Sequence, residues 1–240
     1  MRFRDPSRNL LFPWRRLSSI PTPVSCYNNH ILPHLINLSM RNRELIPYRE
    51  RLLSHAQGRV LEIGIGSGLN LPFYGSRVDE IIGLEPSTRL IAMARRSADR
   101  SRVPVTLITG SAETIPFGGG SIDTVVTTWT LCSIPNALGA LQEMRRVLRA
   151  AGQLLFVEHG LAPEKDVQKW QHRLTPIWKR IGGGCHLNRP IRTLVESAGF
   201  SVDRLETGYA KGPKPMTFFY EGCAIPGSPS NRSMIGQLEP

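Results

Sequence analysis

The sequence lacks an apolar run long enough to cross a membrane. A spanning helix needs about 20 mostly apolar residues, whereas the apolar segment from Ile31 to Leu38 (ILPHLINL) is short and contains His34. The N-terminus also lacks the long apolar core and the small-residue cleavage site of a secretory signal. These absences favour a cytoplasmic protein that makes at most peripheral contact with a membrane.

Cysteine is scarce, and its spacing is uninformative. Cys26, Cys132, Cys185 and Cys223 lie far apart, with no CxxC pair. This argues against a zinc finger and against a secreted disulfide framework, so we expect reduced thiols in a cytosolic setting. Cys185 stands next to His186, but two ligands are too few for a metal site, and we expect no metal.

Acidic residues are outnumbered, with 19 Asp and Glu against 30 Lys and Arg and a formal net charge of +11. That charge would suit nucleic acid or an anionic membrane surface. The excess is spread along the whole chain, and no RNA-binding signature accompanies it. We interpret it as a general surface bias, with specific anion binding as the alternative, and expect no nucleic-acid partner.

Strand-like and helix-like segments alternate along the chain. Short β-rich runs, beginning with RVLEIG, are separated by amphipathic segments such as NALGALQEMRRVLRAAG. This alternation predicts an α/β fold: a Rossmann-like, doubly wound sheet of seven strands, mostly parallel with an antiparallel last strand, and helices on both faces.

The predicted organisation is one domain, 27–222, between a basic, flexible extension, 1–26, and a disordered tail, 223–240. Prolines are expected to interrupt the N-terminal helices at Pro33 and Pro47 and to break a later helix near Pro176. The domain divides into N-terminal helices (27–56), a core (57–160), a substrate-side insertion (161–200) and closing strands (201–222).

A glycine-rich turn follows the first predicted strand. Gly64, Gly66 and Gly68 come after Glu62 in VLEIGIGSG. The dinucleotide fingerprint G-x-G-x-x-G places its third glycine one residue later, which argues against an NAD(P) oxidoreductase. The spacing E-x-G-x-G-x-G is similar to motif I of the class I S-adenosylmethionine (SAM) methyltransferases. The resemblance implies that the glycine backbone approaches the cofactor and that Glu62 helps to orient its amino group.

Two further segments match that family in the right order. A ribose diol needs a carboxylate about 20 residues after the glycines, at the end of the second strand, and Glu85 stands there, followed by Pro86. The segment GSAETIPF resembles the family's A-E-x-[IL]-P-F segment, which implies that Ala112 and Glu113 meet the adenine ring.

The fourth predicted strand, in SIDTVVTTWTL, resembles the segment that ends at the mouth of the active site in these enzymes. By that resemblance Thr127, Thr128 and Trp129 lie close to the cofactor. For Trp129 a place in the core is the alternative.

Beyond these motifs, VVTTWTLCSIPN, EMRRVLRAAGQLLFVEHG and KWQHRLTPIWKRIGGGCHLNRP resemble a narrower group of the type 11 methyltransferase domain. This group includes the membrane-associated thiol methyltransferases of animals and many bacterial relatives. The resemblance implies SAM-dependent transfer of a methyl group to a small molecule: a thiol, a hydroxyl, an amine or a lipid-like acceptor. The chain departs from the animal members at its N-terminus, where no apolar anchor is seen.

The catalytic candidates are two histidines, since a base helps only when the acceptor arrives protonated. His159 directly follows the fifth predicted strand and could accept that proton, although it could equally hydrogen-bond its own loop. His186 lies in GGGCHLNRP, a loop that could close over the substrate or simply begin a helix.

Two other functions stay open. The basic charge would favour an RNA or protein methyltransferase, but TTWT stands where the N/D-P-P-Y/F motif of amino-directed nucleic-acid enzymes would follow the fourth strand. A non-catalytic SAM-binding regulatory protein is the second alternative. The sequence does not indicate an oligomeric state.

Overall fold

A single seven-stranded sheet organises the protein. The computed structural model describes residues 27–227, so the predicted extension 1–26 lies outside the described residues. The strand order is β3-β2-β1-β4-β5-β7-β6. The strands are β1 (Gly58–Ile63), β2 (Val78–Glu85), β3 (Val105–Thr109), β4 (Ile122–Thr128), β5 (Leu148–His159), β6 (Phe200–Tyr209) and β7 (Phe218–Pro226).

The predicted strand directions are confirmed. All pairs from β3 to β5 are parallel, and β7 runs antiparallel to both of its neighbours, β5 and β6. The predicted start of the tail at residue 223 is wrong, because Ala224 still pairs with Leu154 of β5 and Val202 of β6. The rest of the predicted tail, from 228 onward, lies outside the described residues.

Helices cover both faces of this sheet. They are α1 (Leu32–Met40), α2 (Ile46–Leu53), α3 (Thr88–Ala98), α4 (Ala137–Val147), α5 (Lys165–Ile181), α6 (Ile191–Ser197) and α7 (Lys214–Thr217). A π-helical turn (Tyr27–Ile31) precedes α1, and 3-10 turns occupy Arg43–Leu45 and Leu71–Phe73. Within the described part of the chain, none of the helices combines the length and the apolarity that a membrane crossing requires.

The prolines act differently from the prediction. Pro33 and Pro47 lie in the first turns of α1 and α2, where the missing N–H would have no partner in any case. Pro176 lies inside α5, which continues through it to Ile181, so the predicted break is wrong. The Thr175 hydroxyl donates to the carbonyl of Gln171 at 2.6 Å and adds a side-chain bond across this turn.

Alternating residues of β1 separate the two halves of the core. Val60 packs with Leu52 of α2 in one apolar cluster, whereas Leu61 packs with Met144 of α4 in the other. Because successive side chains of a strand point to opposite faces, this division places one helical layer on each side of the sheet. The two layers leave the carboxyl ends of the parallel strands free to form a site.

Candidate active site

A cavity of about 330 Å³ opens at the carboxyl ends of β1, β2 and β4. The strand order reverses between β1 and β4, and ligands of open α/β sheets bind at this kind of switch point. Helix α1 forms a further wall. The predicted residues that line the cavity are Glu62, Gly64, Gly66, Glu85, Pro86, Ala112, Thr128 and Trp129.

The glycine-rich turn forms the floor with bare backbone. Gly64 and Gly66 have φ values of +67° and +57°, which favour glycine. A Cβ atom on Gly64 would collide with the side chain of Thr130. At Gly66 a Cβ atom would find only the Gly64 carbonyl within 4 Å, at 3.9 Å, so the space above this residue is free for a ligand.

Glu85 ties the end of β2 to this turn. Its carboxylate accepts hydrogen bonds from the N–H groups of Gly66, at 3.2 Å, and Ser87, at 2.9 Å. Burial raises its pKa, and those two bonds oppose the rise. Each carboxylate oxygen keeps a second lone pair, so Glu85 can still accept a hydroxyl from a bound ligand.

Glu62 lies in the same cavity wall and is 1% exposed. It accepts hydrogen bonds from Asn70 Nδ2 and from the Tyr74 hydroxyl, both at 2.8 Å. Burial raises its pKa to about 7, although these two bonds and the charge of Arg49 counteract burial. The carboxylate is therefore held in an environment that favours the approach of a cationic group.

Arg49 and Asn70 also line the cavity, although nothing in the sequence singled them out. Arg49 Nε donates to Asn70 Oδ1 at 2.9 Å, and the guanidinium lies 4.9 Å from the centre of the Trp129 ring. Arg49 and Asn70 reach the cavity because α2 and the turn after β1 contact each other in the fold. Motif spacing does not predict such a contact, so the sequence analysis missed both residues.

Trp129 combines two unusual features. It is the one non-glycine residue with positive φ among residues 27–227, at +49°, and its buried indole N–H has no hydrogen-bond partner there. Strained backbone of this kind persists where surrounding structure fixes it, often at functional sites. Thr128, the residue before it, accepts a bond from Asn70 Nδ2 at 3.0 Å.

Three predicted residues do not line the cavity. Gly68 (φ +79°) lies against α3, where a Cβ atom would come within 2.9 Å of Ser97. The Glu113 carboxylate accepts from the Asn136 N–H at 2.8 Å and so fixes the start of α4. Thr127 is fully buried, and its hydroxyl donates to Glu158.

The two predicted catalytic histidines lie behind the cavity wall. Burial lowers the pKa of His159, but Cys132 and Glu158 together outweigh burial, and the net shift is upward. His159 Nε2 lies 3.3 Å from the sulfur of Cys185. His186 contacts the Cys132 carbonyl through Nδ1 at 3.1 Å, and burial lowers its pKa.

Comparison with known proteins places this site in a family. Residues 61–156 match the model of the type 11 family, described as a methyltransferase domain. Human thiol S-methyltransferase TMT1B is 34% identical over 183 residues, which cover 73% of this chain and 72% of that protein. The chain belongs to the SAM-dependent methyltransferases. The match to rat TMT1B covers 62% of that protein's length.

Other methyltransferases are similar over shorter or more diverged regions. The phosphatidylethanolamine N-methyltransferase of Cereibacter sphaeroides is 34% identical over 116 residues, which cover 46% of this chain and 57% of that enzyme. The crystal structure of YcgJ from Bacillus subtilis superposes with a TM-score of 0.55 at 21% identity, covering 69% of this chain and 72% of that one. The structural likeness confirms the Rossmann-like fold of this methyltransferase.

The cavity fits the cofactor that this family uses. The bare backbone at Gly66 leaves room for a ligand, and the buried Glu62 carboxylate provides a partner for an ammonium group. The indole N–H of Trp129 is a buried donor with no partner among the described residues. A carboxylate and an N–H donor suit the amino and carboxylate groups that SAM would bring to a methyltransferase.

Proposed function

We propose that this methyltransferase transfers the methyl group of SAM to the sulfur of a small thiol. The observation that carries the acceptor class is the 34% identity to human thiol S-methyltransferase TMT1B over 73% of the chain. When bound, SAM would supply a methyl group on its sulfonium sulfur. The acceptor would lose its proton to solvent and bond to that methyl group as a thiolate, and the sulfonium sulfur would become that of a neutral thioether. The protein's part is to hold donor and acceptor in line and to exclude water.

Each cavity-lining residue would contact a different part of the cofactor. Glu62 would accept from its amino group, and Glu85 would accept from the ribose hydroxyls. Ala112 would contact the adenine. The backbone of Gly64 and Gly66, together with Pro86, Thr128 and Trp129, would line the remaining cofactor surface. Gly68 and Glu113 would support this arrangement by positioning the loops that carry it.

The acceptor would enter beside α1, where the cavity wall is apolar. Leu32, Pro33, Ile36 and Met40 line this side, and Ile134 and Pro135 face it from the β4–α4 connection. This surface suits a small acceptor with an apolar body. Because His159 lies behind the wall, it would act on transfer without touching the acceptor, and His186 would hold the neighbouring loop.

We also propose that the enzyme acts in the cytoplasm. Cys132 and Cys185 are buried and form no disulfide, a state that suits the reducing cytoplasm. Contact with a membrane would then be peripheral at most, through side chains such as Leu38, which is 70% exposed on α1. A nucleic acid is not needed as a partner.

The acceptor atom can be tested with molecules that share one skeleton. The purified enzyme is given radiolabelled SAM with 2-mercaptoethanol, ethylene glycol or ethanolamine, and labelled product is counted. We expect label on the thiol and at most background on the alcohol and the amine. A fourth reaction contains vesicles of phosphatidylethanolamine, because the phosphatidylethanolamine N-methyltransferase of Cereibacter sphaeroides is 34% identical to this chain over 116 residues.

The control variant is Glu85→Ala, which removes the proposed ribose acceptor. Loss of charged hydrogen bonds should weaken binding of S-adenosylhomocysteine by about 1 to 3 kcal/mol, as measured by calorimetry. Label on ethanolamine or the phospholipid in place of the thiol would reject the thiol assignment. Undetectable binding of S-adenosylhomocysteine by the unmodified enzyme would reject the cofactor site itself.

A further inference from the structure

We propose that Cys132, His159 and Cys185 form a zinc site directly behind the cavity wall. The three residues are distant in sequence and come from different parts of the fold. Cys132 belongs to the β4–α4 connection, His159 is the last residue of β5, and Cys185 follows α5. The expectation of no metal considered only Cys185 and His186 as ligands. In the folded chain, His159 and Cys132 lie next to Cys185 instead.

The three ligand atoms lie close together. The two sulfurs and one imidazole nitrogen are all within 4.8 Å of one another, and Cys185 Sγ is 3.3 Å from His159 Nε2. Zinc bonds of about 2.3 Å to sulfur and 2.0 Å to nitrogen imply ligand separations of roughly 3.4 to 3.8 Å in a tetrahedral site. Small side-chain adjustments are therefore enough to close the three atoms around an ion.

The backbone that carries these ligands is held in place by other bonds. The His186 N–H donates to the carbonyl of Cys132 at 2.9 Å, which joins the two cysteine segments. The guanidinium of Arg189 donates to the carbonyls of Leu131 and Ile134, on either side of Cys132. Bonds that involve no metal therefore hold the two cysteine segments together.

The chemistry of the set favours zinc. Two thiolates and one neutral imidazole are the ligands that zinc prefers, and they select against magnesium and calcium. Two thiolates also cancel the charge of a divalent ion, so the loaded cluster can remain among the apolar side chains of Leu174, Trp178 and Leu187. Three protein ligands leave a fourth position for water or another small ligand.

A metal here would fix part of the methyltransferase cavity. Ser133 follows Cys132 directly, and Gly183 lies two residues before Cys185; both line the cavity. The ion would join the two loops that carry them and anchor both to the end of β5. It would thus give His159 an effect on methyl transfer as a metal ligand that positions the wall, without contact with the acceptor.

The test begins with metal analysis of the full chain. The protein is purified under reducing conditions from zinc-supplemented cells, gel-filtered and analysed by mass spectrometry for zinc and copper. We expect about one zinc per chain in the unmodified protein and in Cys223→Ser, the matched control at a cysteine outside the cluster. Cys132→Ser, Cys185→Ser and His159→Ala should each retain less than about a tenth of that amount.

A second readout does not depend on purification history. Cobalt(II) added to the metal-free chain should give the intense visible bands of a tetrahedral site and a sulfur-to-cobalt charge-transfer band. His159→Cys should restore both zinc and the cobalt bands, because it returns a ligand, whereas His159→Gln should not. This rescue separates metal ligation from a merely structural role and from the misfolding of one variant.

Removal of zinc by a chelator should lower the melting temperature by about 5 °C or more, since an ion that binds only the folded state stabilises it. These readouts are independent of the acceptor, so they stand even if the thiol assignment fails. Wild-type protein with reduced cysteines, no zinc and no cobalt bands would overturn the proposal. Loading with copper(I) in place of zinc, or a disulfide between Cys132 and Cys185, would overturn it as well.

Discussion

Glu62 shows at the scale of one residue how binding and stability oppose each other in this site. Its carboxyl is buried by the turn after β1 and hydrogen-bonded to Asn70 and Tyr74, and burial raises its pKa from 4.5 to about 7. The folded state therefore holds a proton between these pH values that the unfolded state has lost. Because the folded state binds more protons in this window, the free energy of unfolding falls as pH rises from about 4.5 through 7.

We expect Glu62→Gln to remove this dependence. The amide stays neutral, so the variant should gain stability relative to wild type between pH 5 and pH 8, on the order of 1 to 3 kcal/mol. Denaturant unfolding at the two pH values measures the difference. The same change should weaken S-adenosylhomocysteine binding, because the proposed acceptor for its ammonium group is lost.

The exposed Glu196→Gln is the control for Glu62→Gln, because it removes a carboxyl on the surface of α6. Its stability relative to wild type should be the same at pH 5 and pH 8. A Glu62→Gln variant with the same flat profile would show that the buried carboxyl does not titrate in this range.

The limits of sequence reasoning are clearest at single positions. Motif spacing predicted that Glu62, Gly66 and Glu85 lie together, and all three line the cavity, because the end of a parallel strand fixes where a side chain or turn must lie. It missed Arg49 and Cys132, because their positions at the site depend on contacts between segments that are far apart in the chain. The Trp129 ring packs against Tyr48 and Phe219 in the core, and the residue also lines the cavity; its contact with the cofactor stays a prediction.

At the scale of elements, α1 closes one side of the cavity. Leu32, Ile36 and Asn37 line the cavity, whereas Leu35 and Leu38 point outward and are 48% and 70% exposed. The Ser67 hydroxyl, in the glycine-rich turn, donates to Asn37 Oδ1 at 2.7 Å. This bond links the covering helix to the floor of the site, so its loss should ease the opening of α1 for cofactor exchange.

Asn37→Ala should therefore affect the rate of cofactor exchange more than the free energy of unfolding. Loss of one hydrogen bond of about 1 kcal/mol predicts a roughly five-fold faster release of S-adenosylhomocysteine. Stopped-flow measurement of tryptophan fluorescence gives the rate, and Leu38→Ala on the outer face of α1 is the control. An unchanged release rate in Asn37→Ala would mean that another contact limits the opening.

Element boundaries were predictable where local chemistry decides them. Ser87 caps α3 by accepting the Leu90 N–H, in keeping with the preference for serine and threonine at the residue before a helix. The prolines were harder, because the same residue can begin a helix, as Pro33 and Pro47 do, or lie within one, as Pro176 does. Tertiary packing makes that choice, and the local sequence does not record it.

At the scale of the whole molecule, ligand binding should stabilise the complete fold, because the cavity joins β1, β2, β4 and α1. A ligand at 100 times its dissociation constant adds about 2.7 kcal/mol to the free energy of unfolding. For a chain of this size we expect S-adenosylhomocysteine to raise the melting temperature by about 5 to 10 °C. Differential scanning calorimetry measures the shift.

Glu85→Ala, at the same ligand concentration, is the comparison for this melting experiment. Its shift should be smaller, because less of the variant is in the bound state. Equal shifts in the two proteins would exclude Glu85 from the binding site.

The architecture was predictable because alternation of strands and helices leaves few allowed topologies. Right-handed crossovers direct the parallel strands, and the glycine motif identifies β1 among them. The seven strands and the antiparallel β7 follow the prediction. The cluster behind the wall was not predictable, because it depends on where the α5–α6 connection returns to the sheet.

The place of β7 has a consequence for how the protein is made. It is the last of the seven strands in sequence, yet it lies between β5 and β6. On the ribosome β6 emerges before β7, its neighbour in the sheet, and so it lacks this partner until β7 has been synthesised. Until then β5 presents an open edge to other chains. The sheet therefore cannot be completed until β7 has been translated. A truncated mRNA that lacks the codons for β7 would yield an aggregation-prone product.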